Sequence, residues 1–142
     1  MVRIERSVEI KAPPEKVWEM LAFDRMPEWM GDWKSAAFIS EVRTPEDKYR
    51  LGAIARVTEK HVKYDLEITE SLENEKLMAR AKISISTMTL TYILKPVEGG
   101  TEVTYACACW GWGPICSICG LFGDKLFGVE SSLNNLKSIL EK

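Results

Sequence analysis

The side chains able to do chemistry are few, and they are unevenly placed. Four cysteines fall between positions 107 and 119: Cys107 and Cys109 are two apart, and Cys116 and Cys119 are spaced Cys-x-x-Cys. Residues two apart in a strand share a face, so Cys107 and Cys109 can point at one ion, and four thiolates can close a tetrahedral zinc site. Cys116 to Gly120 has the shape of half a zinc knuckle, whereas Cys-x-Cys is the less usual partner for it. Ser117-Ile118 between the thiols is not the thioredoxin pattern, although a redox pair stays open. Cysteine is also among the side chains most often fully buried. Reduced core thiols are therefore the preferred reading, with no cofactor expected and zinc on Cys107, Cys109, Cys116 and Cys119 as the alternative.

His61 is the only histidine, and it stands between Lys60 and Lys63 near an expected hairpin tip. A general base needs a protected place beside its substrate, so His61 reads as a solvated turn residue. Arg56 and Arg80 lie in expected strands. Facing inward, they could bind a carboxylate or polarise a carbonyl. Each, however, neighbours the small apolar phase of its strand rather than sharing it, and buried unpaired charge is costly, so both are expected to face solvent. Tyr64, Tyr92 and Tyr105 can offer hydroxyls that orient a carbonyl or headgroup, or can reach the surface instead. No Ser-His-Asp set can be assembled and no glycine-rich phosphate loop follows a strand. No catalytic residue can be named.

The elements that must position these residues follow from periodicity. Val2, Ile4, Val8 and Ile10 alternate with Glu5 and Glu9, as in a half-buried strand. Ala12-Pro13-Pro14 ends it, and proline suits the first turn of a helix carrying Val17, Trp18 and Leu21. Asp24 is expected to cap a second short helix from Met26 to Trp33. Strands then follow through Phe38 and Val42; Ala53, Ala55 and Val57; Tyr64, Leu66 and Ile68; and Leu77, Ala79, Ala81, Ile83 and Ile85. Two more run through Met88, Leu90, Tyr92 and Leu94, and through Val103, Tyr105, Cys107 and Cys109. Turns are expected at Asn74 and at Glu98-Gly99-Gly100. Short loops between successive strands imply an antiparallel meander. Ile115, Ile118, Phe122, Leu126, Val129, Leu133, Leu136 and Leu140 step by three or four residues, as the apolar stripe of a helix does. Continuous from Ile115 to Glu141, that helix would be about 40 Å long. It would need a concave sheet to lie against.

Composition limits the function classes. The chain has 142 residues, is 46% hydrophobic and 28% charged, and carries a net charge of −2, enough for a core of its own in one domain, 1–142. Charges of both signs are mixed and no basic block exists, which argues against nucleic acid as a partner. The first ten residues alternate charge with Val and Ile, unlike a signal peptide, and a cytoplasmic location is expected. Val103 to Gly123 lacks charge, but Gly113-Pro114 interrupts it and its hydrophobicity is weak, so no stable membrane insertion is expected. Five of nine glycines lie between Gly111 and Gly128. They make that stretch a candidate gate or a place of close helix–sheet packing, with Trp110, Trp112, Phe122 and Phe127 able to touch lipid.

The segment VEIKAPPEKVWEMLAFDRMPEWM resembles the N-terminal signature of the SRPBCC superfamily, which includes START-like lipid-transfer, pollen-allergen-like and polyketide cyclase proteins. LGAIARV, LTYILKPVEGGTEVTY and the C-terminal helix match later elements of that superfamily in order, covering nearly the whole chain. The resemblance implies an α+β helix-grip fold: a curved antiparallel β-sheet wrapped around a long C-terminal α-helix, with two short helices after the first strand. It also implies a cavity between sheet and helix for lipids, aromatic polyketides, hormones or quinones, but no universal catalytic residue.

Small side chains at Ala53, Ala55, Ala79 and Ala81 leave room for such a cavity unless larger side chains fill it. Its expected wall is Tyr64, Leu66, Ala79, Ala81, Ile83, Met88, Leu90, Tyr92, Tyr105, Phe122 and Leu126. The leading expectation is a carrier of a hydrophobic small molecule or lipid. A polyketide cyclase or dehydratase is the alternative; it would need an inward Arg56 or Arg80 or a tyrosine in the cavity. A third reading is a module that activates a chaperone or enzyme through its outer surface, with a filled core and an exposed apolar patch.

Overall fold

The computed structural model describes residues 2–31, 33–59, 62–83, 86–111 and 128–142. Seven strands form one antiparallel sheet in the spatial order β1-β7-β6-β5-β4-β3-β2. They are β1 (Val2–Ile10), β2 (Trp33–Phe38), β3 (Ile54–Glu59), β4 (Val62–Leu72), β5 (Lys76–Ile83), β6 (Ser86–Val97) and β7 (Gly100–Gly111). From β2 to β7 each strand pairs with the next in sequence, and β1 closes the far edge on β7. Helix α1 (Pro14–Met20) and a 3₁₀ segment (Phe23–Glu28) follow β1, and helix α2 (Val129–Leu140) ends the chain. This is the helix-grip arrangement that the sequence implies.

Alternation decides which face turns inward. Ile4, Cys107, Leu90, Ala79 and Ile68 lie side by side across β1, β7, β6, β5 and β4. Beside them runs a second row of Cys109, Met88, Ala81, Leu66 and Ala55. Every one of these side chains is buried. The register slips between Ile68 and Glu70 and between Trp33 and Ser35. Such bulges bend a strand and raise its twist, which curves the sheet toward its apolar face.

Among the described residues, three pieces of chain cover the concave face. Helix α1 begins at Pro14, whose absent N–H costs nothing there, and it buries Val17, Trp18 and Met20. The 3₁₀ segment and the turn after it bury Phe23, Met26, Trp29 and Met30. Helix α2 buries Val129, Ser132, Leu133 and Leu136. Each large apolar side chain so buried contributes about 1.5–3 kcal/mol. Side-chain N–H groups tie the cover together: the Trp29 indole Nε1 donates to the Met20 carbonyl at 2.9 Å, and Asn135 Nδ2 to the Trp29 carbonyl at 3.2 Å.

Several expectations need correction. The second helix is 3₁₀ and starts at Phe23; Asp24 lies inside its first turn, paired with Lys48 at 2.7 Å, and does not cap it. Pro27 lies inside the segment, and the chain has left it by Trp29. Val42 lies outside β2, which ends at Phe38. A second 3₁₀ segment, Pro45–Tyr49, follows it. The buried Asp47 carboxylate holds this loop by accepting from the Arg43 and Thr44 N–H groups at 2.9 and 3.1 Å, which places its pKa below the ordinary carboxylate value. Gly128 is left-handed, with φ 61°, and no continuous α-helix passes through such a residue. α2 therefore starts at Val129 and not at Ile115, which lies outside the described residues together with Ile118, Phe122 and Leu126.

Candidate functional site

The interior between the sheet and α2 narrows to a cavity of about 20 Å³, lined by Met30, Trp33, Glu59, Tyr64, Met88, Leu90, Tyr105, Cys107 and Ser132. That space holds about one water molecule. The alanines at positions 53, 55, 79 and 81 are all buried. Phe23 stacks on Phe38 with centroids 5.9 Å apart, and Trp29 meets Tyr92 edge-on at the same distance. The cover thus fills part of the concavity that small sheet residues alone would leave empty.

The wall is polar at one end. Glu59 continues the inward phase of β3 after Ala55 and Val57, so strand alternation itself aims a carboxylate toward the interior. Tyr64, on the paired strand β4, donates its hydroxyl proton to Glu59 Oε2 at 2.7 Å. Burial, and after it the Glu59 charge, pushes the Tyr64 phenol far above its ordinary pKa, so it remains a donor. Tyr92 and Tyr105 are cross-strand partners, stacked with centroids 4.6 Å apart. The Tyr92 hydroxyl donates to the sulfurs of Met26 and Met30 at 3.8 and 3.7 Å. Burial raises both phenols above their ordinary value, an effect that the neighbouring Tyr105 hydroxyl partly offsets at Tyr92. The interior tyrosines are thus fixed hydroxyl groups, not bases.

Of the wall expected from sequence, Tyr64, Met88, Leu90 and Tyr105 line the cavity. Leu66, Ala79, Ala81 and Tyr92 are buried in the surrounding core, and Ile83 is half-buried against it. Phe122 and Leu126 lie outside the described residues, as do His61, Cys116 and Cys119. Arg56 and Arg80 are exposed, and Arg56 pairs with Asp65 on the outer face at 2.9 Å. Cys107 is a buried thiol at the cavity, whereas Cys109 is disulfide-bonded, so reduced core thiols do not describe it. Burial alone does not keep a thiol reduced. Among the described residues, no three His, Cys, Asp or Glu side chains are grouped to hold a metal ion.

Four lining residues escaped the sequence reading. Glu59 carried a signal, the Ala53-x-Ala55-x-Val57-x-Glu59 alternation, which was read only through its apolar members. Ser132 sits one residue before Leu133 on the buried stripe of α2. Trp33 and Met30 fall within the second helix that the sequence suggests, and their inward positions follow from the 3₁₀ segment and the start of β2.

Comparisons with solved structures match this fold over nearly the whole chain. Protein MLL2253 of Mesorhizobium loti superposes with a TM-score of 0.74 at 19% identity, covering 97% of this chain and 96% of its own. The Aha1 dimer from Colwellia psychrerythraea gives 0.69 at 19% identity, with 99% and 97% covered. DynU16, from the dynemicin biosynthetic locus, gives 0.70 at 19% identity over 100% of this chain and 48% of its own. At such identities the likeness is one of fold. No curated protein matches in sequence. A family model described as "Polyketide cyclase / dehydrase and lipid transport" matches residues 1–141, and the chain belongs to that family.

Proposed function

We propose that this chain binds a hydrophobic small molecule between the sheet and α2, with the Glu59–Tyr64 end of the wall setting its orientation. The observation that carries the reading is the polar end itself. A core built only for stability gains nothing from a carboxylate, a serine hydroxyl and two phenols around one small space, because such groups cost free energy unless they are paired. Family membership supports the same reading, since lipid transport and polyketide chemistry both handle largely apolar molecules. A ligand larger than one water must displace side chains. Met30 and Met88 on the lining are suited to that, being unbranched and adaptable. Affinity would come from apolar burial at about 25 cal/mol per Å².

A cyclase or dehydratase reading has one supporting observation: Tyr105 lines the cavity and stays protonated, so its hydroxyl can hydrogen-bond a substrate carbonyl. It draws no support from Arg56 or Arg80, which are exposed. Native mass spectrometry of freshly purified protein tests the main reading. The expected result is an organic adduct lost on denaturation, or retention of added dodecanol. A bare chain that also fails to retain dodecanol would overturn it and favour a module acting through its outer surface.

A further inference from the structure

We propose that the outer edge of β1 is a docking surface for a second copy of this chain, which extends the sheet across a two-fold axis at Ile4.

β1 and β2 are the two edges of the sheet. β2 is short, bulged between Trp33 and Ser35 and flanked by the 3₁₀ segment, devices that keep an edge from pairing. β1 differs: its nine residues pair with β7 in one unbroken register. Alternate residues of an antiparallel strand turn both backbone groups to the same side. Arg6 reaches the Glu5 carbonyl and Lys137 the Glu9 carbonyl from outside the sheet, so the odd-numbered residues present that side. α2 occupies its far end, where Glu141 also accepts from the Lys11 N–H. Arg3, Glu5 and Ser7 are exposed, and no backbone group of the described residues pairs with that side of them.

Charge complementarity selects the occupant. With two copies antiparallel and the axis at Ile4, Arg3 of each copy stands opposite Glu5 of the other. Axes at Arg3, Glu5, Arg6 or Ser7 each set like charges opposite one another: Arg3 on Arg3, Glu5 on Glu5, Arg6 on Arg6, and Glu5 on Glu9. Axes further along need the end that α2 occupies. Within one copy Arg3 and Glu5 pair at 2.6 Å with both side chains half-exposed, a contact that contributes little and is re-formed across the axis. On the inner face Ile4, in the core cluster, meets Ile4 of the second copy. So short an edge gives a weak dimer, with a Kd of about 10 µM to 1 mM.

Sedimentation equilibrium over that concentration range, at low ionic strength so that charge pairs are little screened, is the test. The wild-type chain is expected to pass from monomer to dimer. Glu5→Arg and Arg3→Glu each set like charges across the axis and should each weaken self-association about tenfold or more. An equimolar mixture of the two variants should regain it, because every charge pair across the axis is again Arg with Glu. Both side chains are half-exposed, so neither change threatens the fold. A wild-type chain that stays monomeric up to about 1 mM would overturn the proposal. So would variants that dimerise as well as the wild type, or a mixture that associates no more tightly than either variant alone. Each of these results leaves ligand binding between the sheet and α2 untouched.

Discussion

Removing the Tyr64 hydroxyl should expose how far the polar end of the cavity is organised before any ligand arrives. Tyr64→Phe keeps the buried ring and deletes only the proton that reaches Glu59 Oε2 at 2.7 Å. A hydrogen bond to a charged acceptor contributes about 1.5–3 kcal/mol net. Glu59 is half-buried and keeps some water, so the lower part of that range applies, about 1.5–2 kcal/mol. For a chain of this length, that lowers Tm by roughly 3–8 °C. The single variant mixes this bond with whatever else the hydroxyl touches. Glu59→Ala and the double variant complete a cycle that isolates the pair. Urea unfolding at neutral pH should give a coupling energy of about 1 kcal/mol or more. A coupling below roughly 0.3 kcal/mol, within the error of such cycles, would refute the view that Tyr64 and Glu59 act as one preformed unit.

Other expectations concern the frame that holds the site. A Cβ on Gly100 would lie 2.0 Å from the Ile10 carbonyl oxygen, so Gly100→Ala must push β7 away from the end of β1 and should cost about 2 kcal/mol or more, whereas Gly31→Ala, with open space around it, should be close to neutral by thermal melting. Thr101 is fully buried and donates to the Ala12 carbonyl at 2.7 Å; Thr101→Val leaves that oxygen unpaired and should cost about 1–3 kcal/mol in denaturant titration. All four tyrosines are raised above their ordinary value of 10.0, Tyr49 to about 12. A raised folded-state pKa contributes stability that is complete below pH 10 and is lost as pH climbs past it. Tyrosinate absorbance should therefore stay low through pH 10 and rise together with unfolding; one tyrosine titrating near 10 in the folded protein would contradict this.

The sheet was legible because strand alternation is a strong signal where one face is buried. The run Leu77, Ala79, Ala81 and the run Leu90, Tyr92, Leu94 needed no tertiary information. The small cavity was not legible. Ala79 and Ala81 announce space on the sheet, but what occupies it is decided by Phe23, Met26, Trp29 and Met30, from a 3₁₀ segment and the turn after it whose inward positions no local pattern announces. Nor did polarity at an inward position register. Glu59 and Ser132 stand where an apolar residue is expected, and a pattern read for its hydrophobic members passes over them. The same two residues give the interior its chemistry. Local rules are broken there, as is usual at functional sites.

A hydrophobic ligand that enters between the sheet and α2 must perturb the residues lining the cavity. Backbone amide NMR during dodecanol titration tests it most directly. Saturable shifts are expected at Glu59, Tyr64, Met88, Leu90, Cys107 and Ser132, with Arg80, Thr104 and other outer-face positions unmoved. Shifts confined to the outer face, or none at ligand saturation, would contradict it.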